Sequence, residues 1–256
     1  IIHLNNQKTY RDYLYIDTRT SNYYMNRKSS YLDAHNALFN QTKNKIEGLL
    51  LSEDIKTLGI ENELLELNMA LDTFHMLTGE ITKYILLKGF KDFGNTGEMR
   101  AHAHNLEEIT EFPKEFILMM RRHEKDFIIR GEDKYSDRFI EKYRKYRNFI
   151  SNSVGINSST KSYILNELDA YKSNFDKLLM FTKIIGDKTN TGFYKKLNSI
   201  TQLLQTSFND VKKKAEDEKN KFFAKMRLYY IILLSFIIVG SVFSGIYIAD
   251  KVTKPI

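Results

Sequence analysis

Hydrophobic positions recur along this chain in steps of three and four, the spacing that places side chains on one face of an α-helix. The longest run is Phe193, Leu197, Ile200, Leu204, Phe208, Val211, Ala215, Glu218, Phe222, Met226 and Tyr229, advancing 36 positions in ten steps, an average of 3.6. Only Glu218 interrupts it. A second run, Ile164, Leu168, Tyr171, Phe175, Leu178, Thr182 and Ile185, precedes it. The Gly186 to Gly192 connection between the two reads as a C-cap and turn joining antiparallel neighbours. A third, Ile60, Leu64, Leu67, Leu71, Phe74, Thr78, Ile81 and Ile85, closes at Gly89 and the breaker-rich GFKDFGNTG. Between Arg11 and Ser52 a weaker stripe passes through Tyr31, Leu38 and Leu49. Helices also fit Glu98 to Phe112, Lys114 to Arg130 and Tyr135 to Val154, with Gly131 and Gly155 as stops and Asp133 and Ser158 as N-caps. Six or seven helices result, and no repeat of fixed period is visible.

The longest stripe runs into Leu228–Ala249, 22 residues without a charge. As a helix rising ~1.5 Å per residue this stretch reaches ~33 Å, enough to cross the hydrocarbon core of a bilayer. Tyr229, Tyr230 and Tyr247 stand at its ends, where aromatic belts form. Gly240, Ser241, Ser244 and Gly245 make two overlapping small-xxx-small pairs that permit close approach of a partner helix, which suits a homodimer. An unbroken register would let movement at the far end pass along a stiff rod to the membrane. Basic residues before the stretch (Lys212, Lys213, Lys214, Lys219, Lys221, Lys225 and Arg227) outnumber Lys251 and Lys254 after it. Long domains are translocated largely regardless of charge, so this count does not set the orientation.

Composition narrows the class. Only 2 prolines and 12 glycines in 256 residues leave little room for the turns of a sheet protein, and the expected fold class is all-α. The absence of cysteine removes disulfides and thiol-based metal or redox sites. A net charge of +7 is spread among 32 acids and does not single out nucleic acid as a partner. Gly-rich phosphate loops, nucleophile elbows and triad-like settings are missing. His102 and His104, two apart, face different directions on a helix; His75 lies three after Asp72, but no Glu-x-x-His occurs. No catalytic residue, metal site or cofactor is therefore predicted within this segment.

Two segments resemble known families. The ending Asp250-Lys251-Val252-Thr253-Lys254-Pro255-Ile256 resembles the opening of a HAMP linker, a short basic, Thr-containing stretch with a proline directly after the last membrane helix of bacterial receptors. The run Arg121-Arg122-His123-Glu124-Lys125-Asp126-Phe127-Ile128-Ile129-Arg130 is similar to the RR-x-EKDF-hydrophobic-hydrophobic-R signature of the helical bimodular sensor domain. Gly97-Glu98-Met99-Arg100 is similar to that family's upstream G-x-x-R helix start. The resemblance implies two stacked four-helix bundles outside the cytoplasm, each able to hold a small solute, often an organic acid; some relatives instead read a periplasmic binding protein. The implied organisation is residues 1–9 as the end of an upstream segment after a first membrane helix, 10–226 as the sensor, 227–249 as the transmembrane helix and 250–256 as the start of HAMP.

Within the signature, Phe116, Met120, Glu124, Phe127 and Gly131 share one helical face, which sets a carboxylate in an apolar stripe. A buried glutamate needs a partner, and Arg121, Arg100 or a lysine is expected to form a structural ion pair with it. Arg122, Lys125 and Arg130 read as solvated residues near a helix C-terminus. For an anionic ligand the candidate contacts are Arg100 and Arg121, then Arg19 and Arg27, since a guanidinium forks onto a carboxylate. The expected function is ligand sensing by a bacterial inner-membrane receptor, of sensor histidine kinase or methyl-accepting chemotaxis type, signalling through the last membrane helix. The alternatives are a sensor that reads a periplasmic binding protein and a membrane-anchored helical coiled coil without ligand.

Overall fold

The sparse breakers partition the chain into helices and nothing else: the computed structural model describes residues 2–186 and 191–253, and no strand occurs among them. In order these are α1 (Ile2–Tyr15), a 3-10 turn (Asp17–Arg19), α2 (Ser21–Asn26), α3 (Ser30–Leu50), α4 (Glu53–Leu58), α5 (Glu61–Lys88), α6 (Gly94–Glu108), α7 (Lys114–Arg130), α8 (Asp133–Asn152), α9 (Ser158–Ile185) and α10 (Gly192–Thr253).

Helix ends follow local chemistry. α7 has the expected bounds because Pro113 stands at its N-cap and Gly131, at φ 70°, closes it with an N–H donated to the Phe127 carbonyl at 2.8 Å. α6 begins earlier than expected, at Gly94, and stops at Glu108 because Ile109 is extended. Two expected caps are corrected. Asp133 and Ser158 are the first residues of their helices; Glu132 takes the cap position of α8 without a side-chain bond, and the Asn157 side chain caps α9 by accepting from the Thr160 N–H at 2.8 Å. α8 ends at Asn152, so Gly155 lies in the loop beyond.

The N-terminal region holds more helix than its apolar pattern reveals. α1 buries Asn6, Tyr10 and Tyr13, a stripe without aliphatic residues, and the expected division at residue 10 falls inside this helix. In α3 the buried positions are His35 and Ile46, whereas Leu49 of the expected stripe is 45% exposed. α2 and α4, six residues each, are too short to show a period.

The chain divides into two units, Ile1–Lys45 with Met69–Leu203, and Ile46–Asn68 with Leu204–Ile256. In the first, α6 packs on α7 and α9, and α8 on α7 and α9, so these four helices close a ring around one core. Phe139 stacks on Phe175 at 3.8 Å and meets Tyr171 edge-on at 5.2 Å, while Phe116 stacks on Tyr146 at 3.9 Å. Each such buried ring contributes ~1.5–3 kcal/mol by leaving water. Elsewhere in this unit α1, α3 and α5 meet through buried polar contacts: the Tyr10 hydroxyl donates to the Thr78 carbonyl at 2.8 Å, and His35 Nε2 lies 3.1 Å from the Thr78 hydroxyl. Tyr84 of α5 approaches both Phe181 of α9 (6.2 Å) and Phe193 of α10 (5.8 Å), so the start of α10 lies beside the end of α9. Residues 187–190, between them in the chain, lie outside those described.

In the second unit Ile55, Ile60 and Leu64 form a small core against Val211 and Ala215, and Lys214 Nζ reaches Glu63 at 2.6 Å. α10 runs 62 residues without a break. From Lys219 to Val252 none of its residues is buried, and its apolar part has a mean hydropathy of 2.5. Among the described residues this is the one helix long and apolar enough to cross a membrane. The helix break expected at Pro255 lies outside the described residues.

Candidate functional site

The signature segment of α7 serves two ends of the same helix differently. Glu124, 4% exposed, accepts a hydrogen bond from the Tyr171 hydroxyl of α9 rather than pairing with a cation. The expected ion pair is thus replaced by a phenol, and both arginines proposed for it are occupied elsewhere. Arg121 pairs with Glu107 of α6, and Arg100 pairs with Asp92 of the α5–α6 loop at 3.2 Å. Burial raises the Glu124 carboxyl above the ordinary carboxylate value, against the Tyr171 hydrogen bond and the charges of Arg121, Lys125 and Arg100, which act in the other direction. Burial pulls Glu107 upward too, but there the Arg121 hydrogen bond and charge, with His104, prevail and its net shift is downward.

The G-x-x-R start of α6 also has a structural account. A Cβ on Gly97 would lie 2.3 Å from the Asp92 backbone, so only glycine allows α6 to sit against the loop whose Asp92 carboxylate Arg100 holds. His102 and His104 go to separate acids, Glu167 of α9 at 2.8 Å and Glu107 at 3.1 Å.

At the other end of α7, Phe127, Ile128, Ile129, Arg130 and Gly131 form one wall of a cavity of about 1030 Å³ that is partly open to solvent. Its other walls come from α1 (Gln7, Lys8, Tyr10, Arg11, Leu14, Tyr15), α5 (Phe74, Lys88), α9 (Leu178, Thr182) and α10 (Tyr194, Leu197, Asn198, Thr201), with Arg19 and Gly186 at the edge. Periodicity places these residues: Leu178, Thr182 and Gly186 are successive turns of one face, and Phe74 and Lys88 are four turns apart on α5. Five of the lining residues are cationic (Lys8, Arg11, Arg19, Lys88 and Arg130), and no acid lines the cavity among the described residues.

The five cations differ in setting. Lys8, Arg11, Arg19 and Arg130 are exposed at the rim. Arg130 donates to the Tyr135 hydroxyl at 2.7 Å and lies 3.7 Å from Asp126, while Arg19 lies over the Tyr15 ring at 5.6 Å. Lys88 is half-buried in the last turn of α5; burial lowers its pKa, and its ammonium has no hydrogen bond or ion pair among the described residues. A desolvated ammonium with no partner among the described residues, set in the wall of this cavity, attracts an anion strongly, because little water screens it.

Of the four arginines expected to meet a ligand, only Arg19 lines the cavity. Arg27 is exposed and holds the left-handed C-cap of α2 at φ 56°. Sequence reasoning missed Lys8, Arg11, Lys88 and Arg130. The signal for Lys88 was present, since Ile81, Ile85 and Lys88 continue the α5 stripe in steps of four and three and set a cation on its apolar face. No family model, curated protein or solved structure matches this chain.

Proposed function

We propose that this chain is the extracytoplasmic sensing region of a bacterial membrane receptor, with its last transmembrane helix and the beginning of a HAMP linker. The observation that carries this reading is the continuity of α10: the helix that supplies Tyr194, Leu197, Asn198 and Thr201 to the cationic cavity runs unbroken into the charge-free stretch Leu228–Ala249. A ligand in the cavity touches the same helix that continues into that stretch, and small displacements of a packed helix are a known route of signal transfer. The resemblance of the α7 segment to helical bimodular sensors supports it, and extends it to two stacked four-helix bundles, with α6–α9 as one and α1, α3, α5 and α10 as the other. In this reading the inner membrane holds a homodimer, residues 10–226 are periplasmic, and the output is of histidine kinase or chemotaxis type.

A membrane-anchored coiled coil that binds nothing has no use for a cavity with a desolvated lysine, which disfavours that rival. These 256 residues contain no cysteine, so single-cysteine variants of them report topology cleanly. With a membrane-impermeant maleimide on intact cells, exposed Ser159→Cys is expected to label, and Lys251→Cys to label only after permeabilisation. Labelling of Lys251→Cys from outside, or protection of Ser159→Cys, would overturn the receptor reading.

A further inference from the structure

We infer that the cavity takes an amphipathic organic anion with an extended apolar body, its anionic head set against Lys88, and not a compact acid of a few carbons. The inference deepens the sensor reading and rests on it. Its first support is size. At about 1030 Å³ the cavity lies at the upper end of the ~300–1,000 Å³ that enclose drug-sized molecules, so a compact acid would leave most of it to water. Its second support is shape: Phe74 and Lys88, both lining the cavity, stand 14 residues apart on α5, ~21 Å along the helix. The cavity therefore has room along its length for a body well beyond that of a compact acid.

The third support is the division of chemistry along that length. Phe74, Phe127, Leu178 and Leu197 are buried apolar wall, and Leu14, Ile128 and Ile129 keep exposed apolar surface in the lining that a hydrocarbon or aromatic body can cover. Lys88 offers charge without a counterion among the described residues, and burial already disfavours its ammonium. An anion arriving there restores the charged form in a setting of low dielectric, where the pairing is strong. Polar side chains that do not ionise near neutrality, Thr182, Thr201 and the Tyr194 phenol, line the remainder and suit a few hydroxyl or carbonyl groups on the body. At the rim Lys8, Arg11, Arg19 and Arg130 raise the local concentration of anions without fixing their identity.

The test uses the full chain in lipid nanodiscs, with empty nanodiscs subtracted, titrated calorimetrically with biphenyl-4-carboxylate, the neutral biphenyl-4-methanol and succinate. Biphenyl-4-carboxylate is expected to bind at least tenfold more tightly than either of the others. Lys88→Met, which removes a desolvated charge and keeps the side-chain length, is expected to weaken it at least tenfold; Lys88→Arg is expected to retain it, and Arg27→Ala to leave it unchanged. Tighter binding of succinate, equal binding of the alcohol, or no binding of the biphenyl acid overturns the ligand class. Unchanged binding in a Lys88→Met chain that melts normally overturns the role of Lys88. None of these results touches the receptor reading, which stands or falls on the cysteine labelling.

Discussion

The Tyr171 hydroxyl of α9 donates a hydrogen bond to the buried Glu124 carboxylate of α7, and so ties two helices of the α6–α9 ring across the core that holds Phe139 and Phe175. Hydrogen bonds to charged groups contribute ~1.5–3 kcal/mol, and a buried carboxylate left without its donor loses more than the bond itself. Tyr171→Phe is therefore expected to destabilise the chain by about 2 kcal/mol, read as a lower melting temperature in far-UV circular dichroism. An unchanged melting temperature would mean that Glu124 finds another donor.

The same carboxylate makes a pH prediction. Its folded-state pKa is raised, mainly by burial, so the folded chain holds this proton more tightly than the unfolded chain. The contribution to stability is present below the ordinary carboxylate pKa and is lost as pH rises through the raised value. Glu124→Gln keeps an acceptor for Tyr171 and removes the titration. The wild-type chain is expected to lose stability relative to Glu124→Gln as pH rises through the weakly acidic range; parallel stability curves would contradict it.

His35 acts in the opposite sense. Burial, with the nearby His75, lowers its pKa to about 4 despite the Asn6 carbonyl. Its ring lies against Tyr10 and Phe74 and stacks with His75 at 5.7 Å. A histidine kept neutral when folded but protonated when unfolded loses stability as pH falls from its ordinary value towards 4, by up to ~3 kcal/mol. His35→Gln is expected to flatten the melting temperature between pH 7 and pH 5. An equally steep curve in the variant would assign the acid sensitivity to other groups.

Gly97→Ala is expected to cost about 1–3 kcal/mol, because its Cβ would sit 2.3 Å from the Asp92 backbone and the loop must shift. Gly131→Ala meets no atom within 4 Å and costs only the ~1–2 kcal/mol of a left-handed alanine at φ 70°. Denaturant melts of both variants check the comparison, and the one outcome against it is Gly131→Ala as clearly the more damaging.

Much of the fold was legible in the sequence because its helices carry aliphatic stripes between true breakers. Pro113 and Gly131 bracket α7, and the α5, α9 and α10 stripes recur as buried faces through Leu71, Phe175 and Leu204. α1 escaped because Asn6, Tyr10 and Tyr13 bury a polar-tipped face that an apolar count ignores. The candidate site was less legible for a different reason. Arg100 and Arg121 stand out in the motifs, but their partners Asp92 and Glu107 come from other segments, and helical spacing cannot show that a guanidinium is already occupied. Lys88 was readable as a cation continuing an apolar stripe; that it has no counterion among the described residues depends on what five other segments place around it.

A single unbroken helix, α10, links the cavity wall to the charge-free stretch that is long and apolar enough to cross a membrane. Backbone amide hydrogen exchange along α10, measured in lipid nanodiscs, tests it most directly. The account predicts continuous protection from Leu197 through Ala249, without a fast-exchanging segment between Leu204 and Arg227. A run of amides there that exchanges at the rate of an unfolded chain would break the rod and contradict it.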